Sequence, residues 1–363
     1  MKKMLVFQTD FTYAEGAVAS MYGVCKSVDI DIELITATHE IPQYDTWSAS
    51  YRLYQYIDFW PKGTIFVSVV DPGVGTSRRA CVAKTKNGYY IVTPDNGSLT
   101  HVYNKWGIEE VREIDETRNR LHRDDNGYVS IFHGRDLFGY CAAKLASGQI
   151  TYEEVGPTYP VEEIKRHKIP EAIVSDNKIE GIFEIKDPNF GNLWTNIPLD
   201  TFKEFGFKIG DTVKTTIYHN DEKLYEWLLP YYDSFGKAKD HTVMIYNNEL
   251  NNMALAEVVG NLCKDYNLNF GSDYTVVFEC ENFKKCWFKF GDNILVKIFN
   301  KESCVYTGTI EYGKSFADVP ISTPIIYMNS AYHIAVAINQ GSFAKAYGIG
   351  VGNDWKITMQ KCN

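Results

Sequence analysis

Phe66-Val67-Ser68-Val69-Val70-Asp71-Pro72-Gly73-Val74-Gly75-Thr76-Ser77-Arg78-Arg79 is the stretch whose reading decides the fold. An apolar run from Ile65 to Val70 has no polar alternation except Ser68, as expected for a strand buried on both faces. It ends in a carboxylate, then a Pro/Gly loop, then a guanidinium. Taken alone, Asp-Pro-Gly after a strand is an ordinary turn. In an open α/β sheet the same arrangement points charged groups into the crevice beyond the strand's carboxyl end, where such sheets bind ligands. The loop lacks the lysine and the spacing of a Walker phosphate cradle.

Working outward, the flanking sequence alternates strand and helix. Met4 to Gln8 and Ile32 to Ile35 read as strands, and so do Ala80 to Ala83 and Tyr89 to Val92. Gly16 to Val28 has helical spacing, and Trp47, Tyr51 and Tyr54 predict an amphipathic helix running to about Trp60. Leu137 to Leu145 is a further helix. This rhythm predicts an α/β N-terminal domain with a mostly parallel sheet over residues 1–155. Gly156-Pro157-Thr158-Tyr159-Pro160 and Pro170 mark a linker, 156–180. Beyond it the segments are short, alternating and punctuated by glycine, which predicts an all-β C-terminal domain.

That second half repeats itself. Phe207-Lys208-Ile209-Gly210-Asp211 returns 81 residues on as Phe288-Lys289-Phe290-Gly291-Asp292. Ser234-Phe235 and Ser315-Phe316, Ile245-Tyr246 and Ile326-Tyr327, Asn248 and Asn329, and Gly260 and Gly341 keep the same offset. The reading is a tandemly duplicated β module: 181–206 opens the β domain, 207–278 is the first copy and 288–359 the second.

Composition excludes several classes. Hydrophobic residues make up 45% and charged residues 23% of 363 positions, ordinary for a globular chain. The net charge of −9 lacks the basic footprint of a nucleic-acid binder. Arg118, Arg120 and Arg123 are interrupted by Glu116, Asp124 and Asp125 and read as a solvated loop. No run approaches the roughly 20 apolar residues of a membrane span. The apolar run after Met1-Lys2-Lys3 is too short for a signal peptide, so a cytoplasmic protein is expected. The eight cysteines are scattered without zinc-site spacing and read as reduced thiols; Cys280 and Cys286 are at most a weak metal pair, and no metal is expected.

Four motifs join the opening one. Thr9-Asp10-Phe11 ends the first strand, and Thr38-His39-Glu40-Ile41-Pro42 follows the second. Thr93-Pro94-Asp95-Asn96-Gly97 follows a later strand, and Phe132-His133-Gly134-Arg135-Asp136 precedes the last helix. Each alone has a structural alternative: an Asp can cap a helix, and a lone His can sit satisfied in a core. Asp136 reads as such a cap, or as a partner for Arg135. Residues at successive strand ends converge along one sheet edge, so Asp10, Asp71 and Asp95 are expected to share a rim with His133.

With Phe190-Gly191-Asn192-Leu193-Trp194-Thr195-Asn196 added, this set resembles the S-adenosylmethionine hydroxide adenosyltransferases, relatives of the fluorinase and chlorinase. The resemblance covers residues 1 to about 200 and resumes from Asn329-Ser330 to about Lys356. It implies hydrolysis of S-adenosyl-L-methionine to adenosine and L-methionine, by water or hydroxide attacking the ribose 5′-carbon. It also implies a homotrimer with the substrate pocket between subunits, and no cofactor. It places Asp71, Arg78 and His133 around the attacking water, Asp10 on the ribose hydroxyls and Tyr44 against the nucleoside. Asp187, Phe190, Asn192, Trp194 and Ser330 complete substrate binding.

Fluorinase-like chains carry Tyr and Thr where this one has Asp71 and Val74, and Tyr-Ser where it has His133-Gly134. A charged, hydrogen-bonding set suits water rather than a dehydrated halide. A chloride-using halogenase and a non-catalytic binder of S-adenosylmethionine or adenosine are the alternatives. The chain departs from its relatives at Thr36, where they carry Asp, at Ala331, where halogenases place Arg, and at His333, where many hydrolases have Glu. The second copy keeps Asn329-Ser330 and Asn339-Gln340-Gly341-Ser342, so it is expected to supply the pocket. The first copy, with Asn248-Glu249-Leu250, is expected to be a degenerate spacer or interaction module.

Overall fold

The computed structural model describes residues 3–122, 132–175, 177–279, 288, 290–329 and 334–362. Two compact units result, Met1–Ile169 and Pro170–Asn363. No helix among the described residues is long and apolar enough to cross a membrane.

The first unit begins with β1 (Met4–Thr9), α1 (Ala17–Val28), β2 (Glu33–Thr38), α2 (Thr46–Tyr56) and β3 (Ile65–Val69). It continues with β4 (Ala80–Thr85), β5 (Tyr90–Pro94), α3 (Thr100–Trp106), β6 (Ile108–Glu113), α4 (Glu116–Asn119) and α5 (Tyr140–Ser147). Helix α1 buries Val18, Met21 and Cys25, one stripe at helical spacing. Helix α2 starts where the Asp45 carboxylate accepts the Ser48 amide at 2.9 Å. The sheet order is β2-β1-β3-β5-β4-β6. β2, β1, β3 and β5 pair in parallel, while β4 alone is reversed, pairing antiparallel with β5 on one side and β6 on the other, so the sheet is mixed with five strands in one direction. The antiparallel pair arises because β4 and β5 are joined by the short turn at Lys86–Gly88, too short for a parallel crossover. Every residue of β3 is buried. Val67 and Val69 share a core with Phe7, with Met21 of α1, with Leu137 and Phe138, and with Cys141 and Leu145 of α5.

The linker expected over 156–180 is only partly a linker. Residues 156–169 pack onto the first unit: Thr158 bridges Arg112, the Tyr159 hydroxyl donates to Asp95, and the His167 amide donates to Thr100. A tyrosine and three backbone donors there find partners on the sheet edge, which a composition reading of Gly and Pro does not reveal.

The second unit is strand-rich. It holds β7 (Ile173–Val174), β8 (Lys178–Lys186), β9 (Leu193–Pro198), α6 (Leu199–Phe205), β10 (Thr212–His219) and β11 (Glu222–Pro230). Then come β12 (Val243–Asn247), β13 (Asn252–Glu257), α7 (Leu262–Asp265) and β14 (Gly271–Glu279). The last elements are β15 (Asn293–Asn300), β16 (Ser303–Tyr312), β17 (Pro324–Met328), β18 (Ile334–Ile338), α8 (Phe343–Tyr347) and β19 (Trp355–Lys361). One sheet has the order β11-β10-β14-β8-β9-β13-β12, and a parallel bridge from Tyr231 to Ile245 returns β12 to β11. The other has the order β18-β17-β16-β15-β19. The starts of β10 and β15, β11 and β16, and β12 and β17 each differ by 81 residues, and Tyr312 pairs in parallel with Ile326 at the same offset.

The two sheets differ in one respect. The hairpin β8–β9 lies between β14 and β13, and no strand among the described residues fills that place between β19 and β18. The segment 207–278, expected to be a spacer or interaction module, is built into the same sheet as the Phe190-to-Asn196 motif. Its strands β13 and β14 hydrogen-bond directly to the hairpin that carries the Phe190-to-Asn196 motif.

Candidate active site

Strands β1 and β3 are parallel neighbours with Thr9 opposite Val69, so Asp10 and Asp71 leave the sheet side by side. His133 immediately precedes a π-helical turn, Gly134–Gly139, whose Leu137 and Phe138 anchor it in the core. A local π turn is a common way of aiming a side chain at a functional site. Asp10, Phe11, Glu15, Gln43, Tyr44, Val69, Asp71, Val74, Phe132, His133 and Gly134 line one cavity of about 400 Å³.

Behind Asp71 stands Arg78. Its Nε donates to Asp71 Oδ1 at 2.9 Å, and its Nη2 makes a short contact to Oδ2. The same Nη2 lies 2.9 Å from His133 Nδ1. A guanidinium can only donate, so Nδ1 is the acceptor and the imidazole carries its proton on Nε2. Burial, then the Arg78 charge, holds the His133 pKa below its usual value. The neutral ring is thus the resident form at neutral pH. Asp10 accepts the Tyr44 amide at 2.9 Å; burial raises its pKa and that hydrogen bond opposes the rise.

Asp95 does not join this rim. Its carboxylate takes the Tyr159 hydroxyl and the Lys165 amide, and it lies beside a different cavity. His39 is structural: buried, with Nδ1 at 2.8 Å from Thr9 Oγ1 and Nε2 at 3.1 Å from the Tyr22 hydroxyl. Burial pulls its pKa down to about 4. Asp136 forms an ion pair with Arg135 at 2.6 Å. Sequence reasoning missed Glu15 as a cavity residue. Its only signal was its place five positions after Asp10 in the loop leaving β1.

In the second unit, Asn192 and Trp194 are buried, and Trp194 Nε1 donates to the Tyr246 hydroxyl at 3.0 Å. Asn192 also bonds that hydroxyl, and burial pushes the Tyr246 pKa up to about 12. Asp187 Oδ1 caps its own turn by accepting the Asn189 and Phe190 amides. Phe190 is 65% exposed at that turn. Tyr246 lies in the segment 207–278, and sequence reasoning does not mark it as a partner of Asn192 and Trp194. Ser330, Ala331, His333, Cys280 and Cys286 lie outside the described residues. No group of three or more metal-ligating side chains occurs among the described residues.

Two family models match the chain. The SAM hydroxide adenosyltransferase N-terminal domain matches residues 5–156, and the C-terminal domain matches 183–275 and 280–356. The chain belongs to this family. An (R)-S-adenosyl-L-methionine hydrolase of Methanocaldococcus jannaschii is 29% identical over 282 residues, covering 76% of this chain and 96% of the relative. A fluorinase of Actinopolyspora mzabensis is 24% identical over 299 residues, covering 76% and 97%. The crystal structure of an uncharacterized conserved protein from Thermotoga maritima superposes with a TM-score of 0.67 at 31% identity, covering 76% and 99%.

Gly134 lines the cavity that holds Asp71 and His133. A Cβ there would lie 2.9 Å from the Phe11 ring and 3.0 Å from the Phe132 ring. Both rings line the cavity, so Gly134→Ala is expected to displace them at a cost of about 1–3 kcal/mol. The outcome is a several-fold rise in KM for the substrate with the fold retained, read by steady-state kinetics beside circular dichroism.

Proposed function

We propose that this chain hydrolyses S-adenosyl-L-methionine to adenosine and L-methionine. The observation that carries the reading is the Asp71–Arg78–His133 cluster at the wall of the cavity that Asp10 and Tyr44 share. A water that donates to Asp71 and accepts from His133 Nε2–H has a lone pair left for the ribose 5′-carbon. The new C–O bond forms as the C5′–S bond breaks. The bonding pair goes to sulfur, which leaves as a neutral thioether, and the water's proton passes to Asp71 and on to solvent. No acid is needed for the leaving group, because its positive charge disappears as it departs. Arg78 holds Asp71 and fixes the His133 tautomer, so orientation is set before the substrate arrives. No cofactor enters these steps.

Charge favours this reading over halide transfer. Asp10, Glu15 and Asp71 line the cavity, and Arg78 answers Asp71. The excess of carboxylates attracts a sulfonium cation and repels a halide anion. The fluorinase relative keeps the halogenase reading as the rival, and the same assay separates them. Purified protein incubated with S-adenosylmethionine, with and without chloride, is expected to yield adenosine and methionine in both. A chloro-nucleoside that appears only with chloride would replace hydrolysis by halogenation. Binding with no product would reduce the protein to a sensor.

The finer parts of the reading are a cytoplasmic homotrimer whose substrate pocket lies between subunits, and a C-terminal region that arose by tandem duplication. The shared 81-residue offset of strand starts and the two-segment match to the C-terminal family model support the duplication. Sedimentation velocity giving the mass of three chains checks the assembly.

The His133 tautomer sets a pH dependence. Protonation would place a hydrogen on Nδ1 facing Arg78 Nη2, losing that hydrogen bond and adding charge repulsion. Because the pKa is depressed, kcat/KM is expected to stay level through neutral pH and to fall only on the acid side of the ordinary histidine range. A pH–rate profile checks this, and His133→Asn should lose the histidine-dependent part of the acid limb.

A further inference from the structure

β18 stands at one end of the second sheet, paired with β17 on one side and with no strand among the described residues on the other. The Asn339 amide donates to the Thr323 carbonyl at 3.0 Å. Alternation along an antiparallel ladder then turns the backbone groups of Ala335 and Ala337 toward β17. Those of Ile334, Val336 and Ile338 turn toward the open edge. The side chains of Ile334, Val336 and Ile338 pack against the core of that sheet and are only half-buried. Ala335 and Ala337 alternate to the other face.

Open sheet edges are ordinarily guarded by charge or proline. β19, the other end of the sheet, follows this with Lys356 and Lys361, both exposed. In β18, Ile334-Ala335-Val336-Ala337-Ile338 has neither guard, and it reads the same in both directions. Its counterpart 81 residues earlier, Met253-Ala254-Leu255-Ala256-Glu257, does not, and there β9 covers the edge. The palindrome thus occurs in the copy whose edge is open. Two identical strands paired antiparallel about a two-fold axis oppose each residue with its mirror position. A palindrome lets residues of equal size meet at every such position.

We propose that β18 pairs antiparallel with β18 of a second copy of this chain, about a two-fold axis through Val336, joining the two sheets edge to edge. Val336 meets its own twin across the axis. Ile334 of each copy faces Ile338 of the other, and Ala335 faces Ala337. A slip of one residue would send the three β-branched side chains to the wrong face, which fixes the register. Two five-residue strands bury well under the roughly 1,200–2,000 Å² of a stable interface, so the association is weak and at low concentration the edge stands open.

Sedimentation velocity of the full chain, from low micromolar to several hundred micromolar, tests it. Ala335→Lys/Ala337→Lys sets lysine against lysine twice across the axis, on the face away from the core. Ala335→Lys/Ala337→Glu sets lysine against glutamate twice. The unsubstituted chain is expected to double its mass as concentration rises. The double-lysine variant should stay at the lower mass, and the lysine–glutamate variant should double again. A mass that never doubles overturns the proposal. Doubling that survives in the double-lysine variant overturns it too, and so does a lysine–glutamate variant that stays at the lower mass, with circular dichroism showing each variant folded. The readout is a ratio of masses, so it holds whether the lower species is one chain or three. Neither the trimer nor turnover of S-adenosylmethionine enters it, and those readings fail separately.

Discussion

Arg78→Lys is expected to lower kcat for S-adenosylmethionine hydrolysis by about 10²–10³-fold, the usual cost of removing one preorganised electrostatic donor. Arg78 does three things from one planar group: Nε and Nη2 grip the Asp71 carboxylate, and Nη2 also reaches His133 Nδ1. A lysine keeps the charge, but its ammonium cannot span those positions with fixed geometry. With the Nδ1 contact gone, His133 is free to take either tautomer. The donor that orients the water is then present only part of the time. Substrate affinity should change little, because Asp10 and Tyr44, the proposed nucleoside contacts, make no hydrogen bond to Arg78 among the described residues. Adenosine release at saturating substrate and a separate titration of binding distinguish the two effects. A rise in KM with kcat intact would mean that Arg78 binds substrate rather than arranging the water.

Much of this constellation was legible in sequence, for a geometric reason. A strand buried on both faces must begin and end at the sheet's edges, so the polar residue after it has one place to go. Asp10 and Asp71 follow neighbouring parallel strands and meet as expected. Asp95 follows β5 by the same logic yet turns to Tyr159 and Lys165. That partner segment lies about 65 residues further along the chain and reads as a linker from its Gly and Pro content. The mixed sheet was equally hidden. Apolar runs mark β4 and β5 as strands, but only the length of the turn between them sets their relative direction. His133 was legible as a motif, and its protonation was not, since the tautomer depends on one hydrogen bond across 55 residues.

The repeat was legible as an offset, but its consequence was not. Likeness to relatives favoured the second copy as the one that works with the Phe190-to-Asn196 hairpin. Hydrogen bonding favours the first: β14 pairs with β8, and β13 pairs with β9. Conserved-looking side chains report what a surface can bind. They do not report which of two similar sheets a strand joins. That choice follows from chain proximity, since β8–β9 directly precedes the first copy.

A pair of matched core truncations turns this difference into a stability measurement. Met253 in β13 is fully buried against Leu193 and Ile197 of the hairpin strand, and its counterpart 81 residues on, Ile334 in β18, is only half-buried. Val276 in β14 is likewise fully buried, and its counterpart Ile357 in β19 is 45% exposed. Met253→Ala removes a side chain whose surroundings cannot collapse, and is expected to cost about 3 kcal/mol, within the 2–5 kcal/mol typical of such changes. Ile334→Ala removes a half-buried side chain from a strand beside which no described strand takes the hairpin's place, and is expected to cost about 1 kcal/mol or less. Urea unfolding followed by tryptophan fluorescence measures both, with each transition fitted separately where the two sheets unfold apart. The ratio matters more than either value, because area-based estimates are safer as differences. Equal losses at the two positions would mean that the edge of β18 is covered in solution as thoroughly as β9 covers β13, and the second sheet would then have to be regarded as closed.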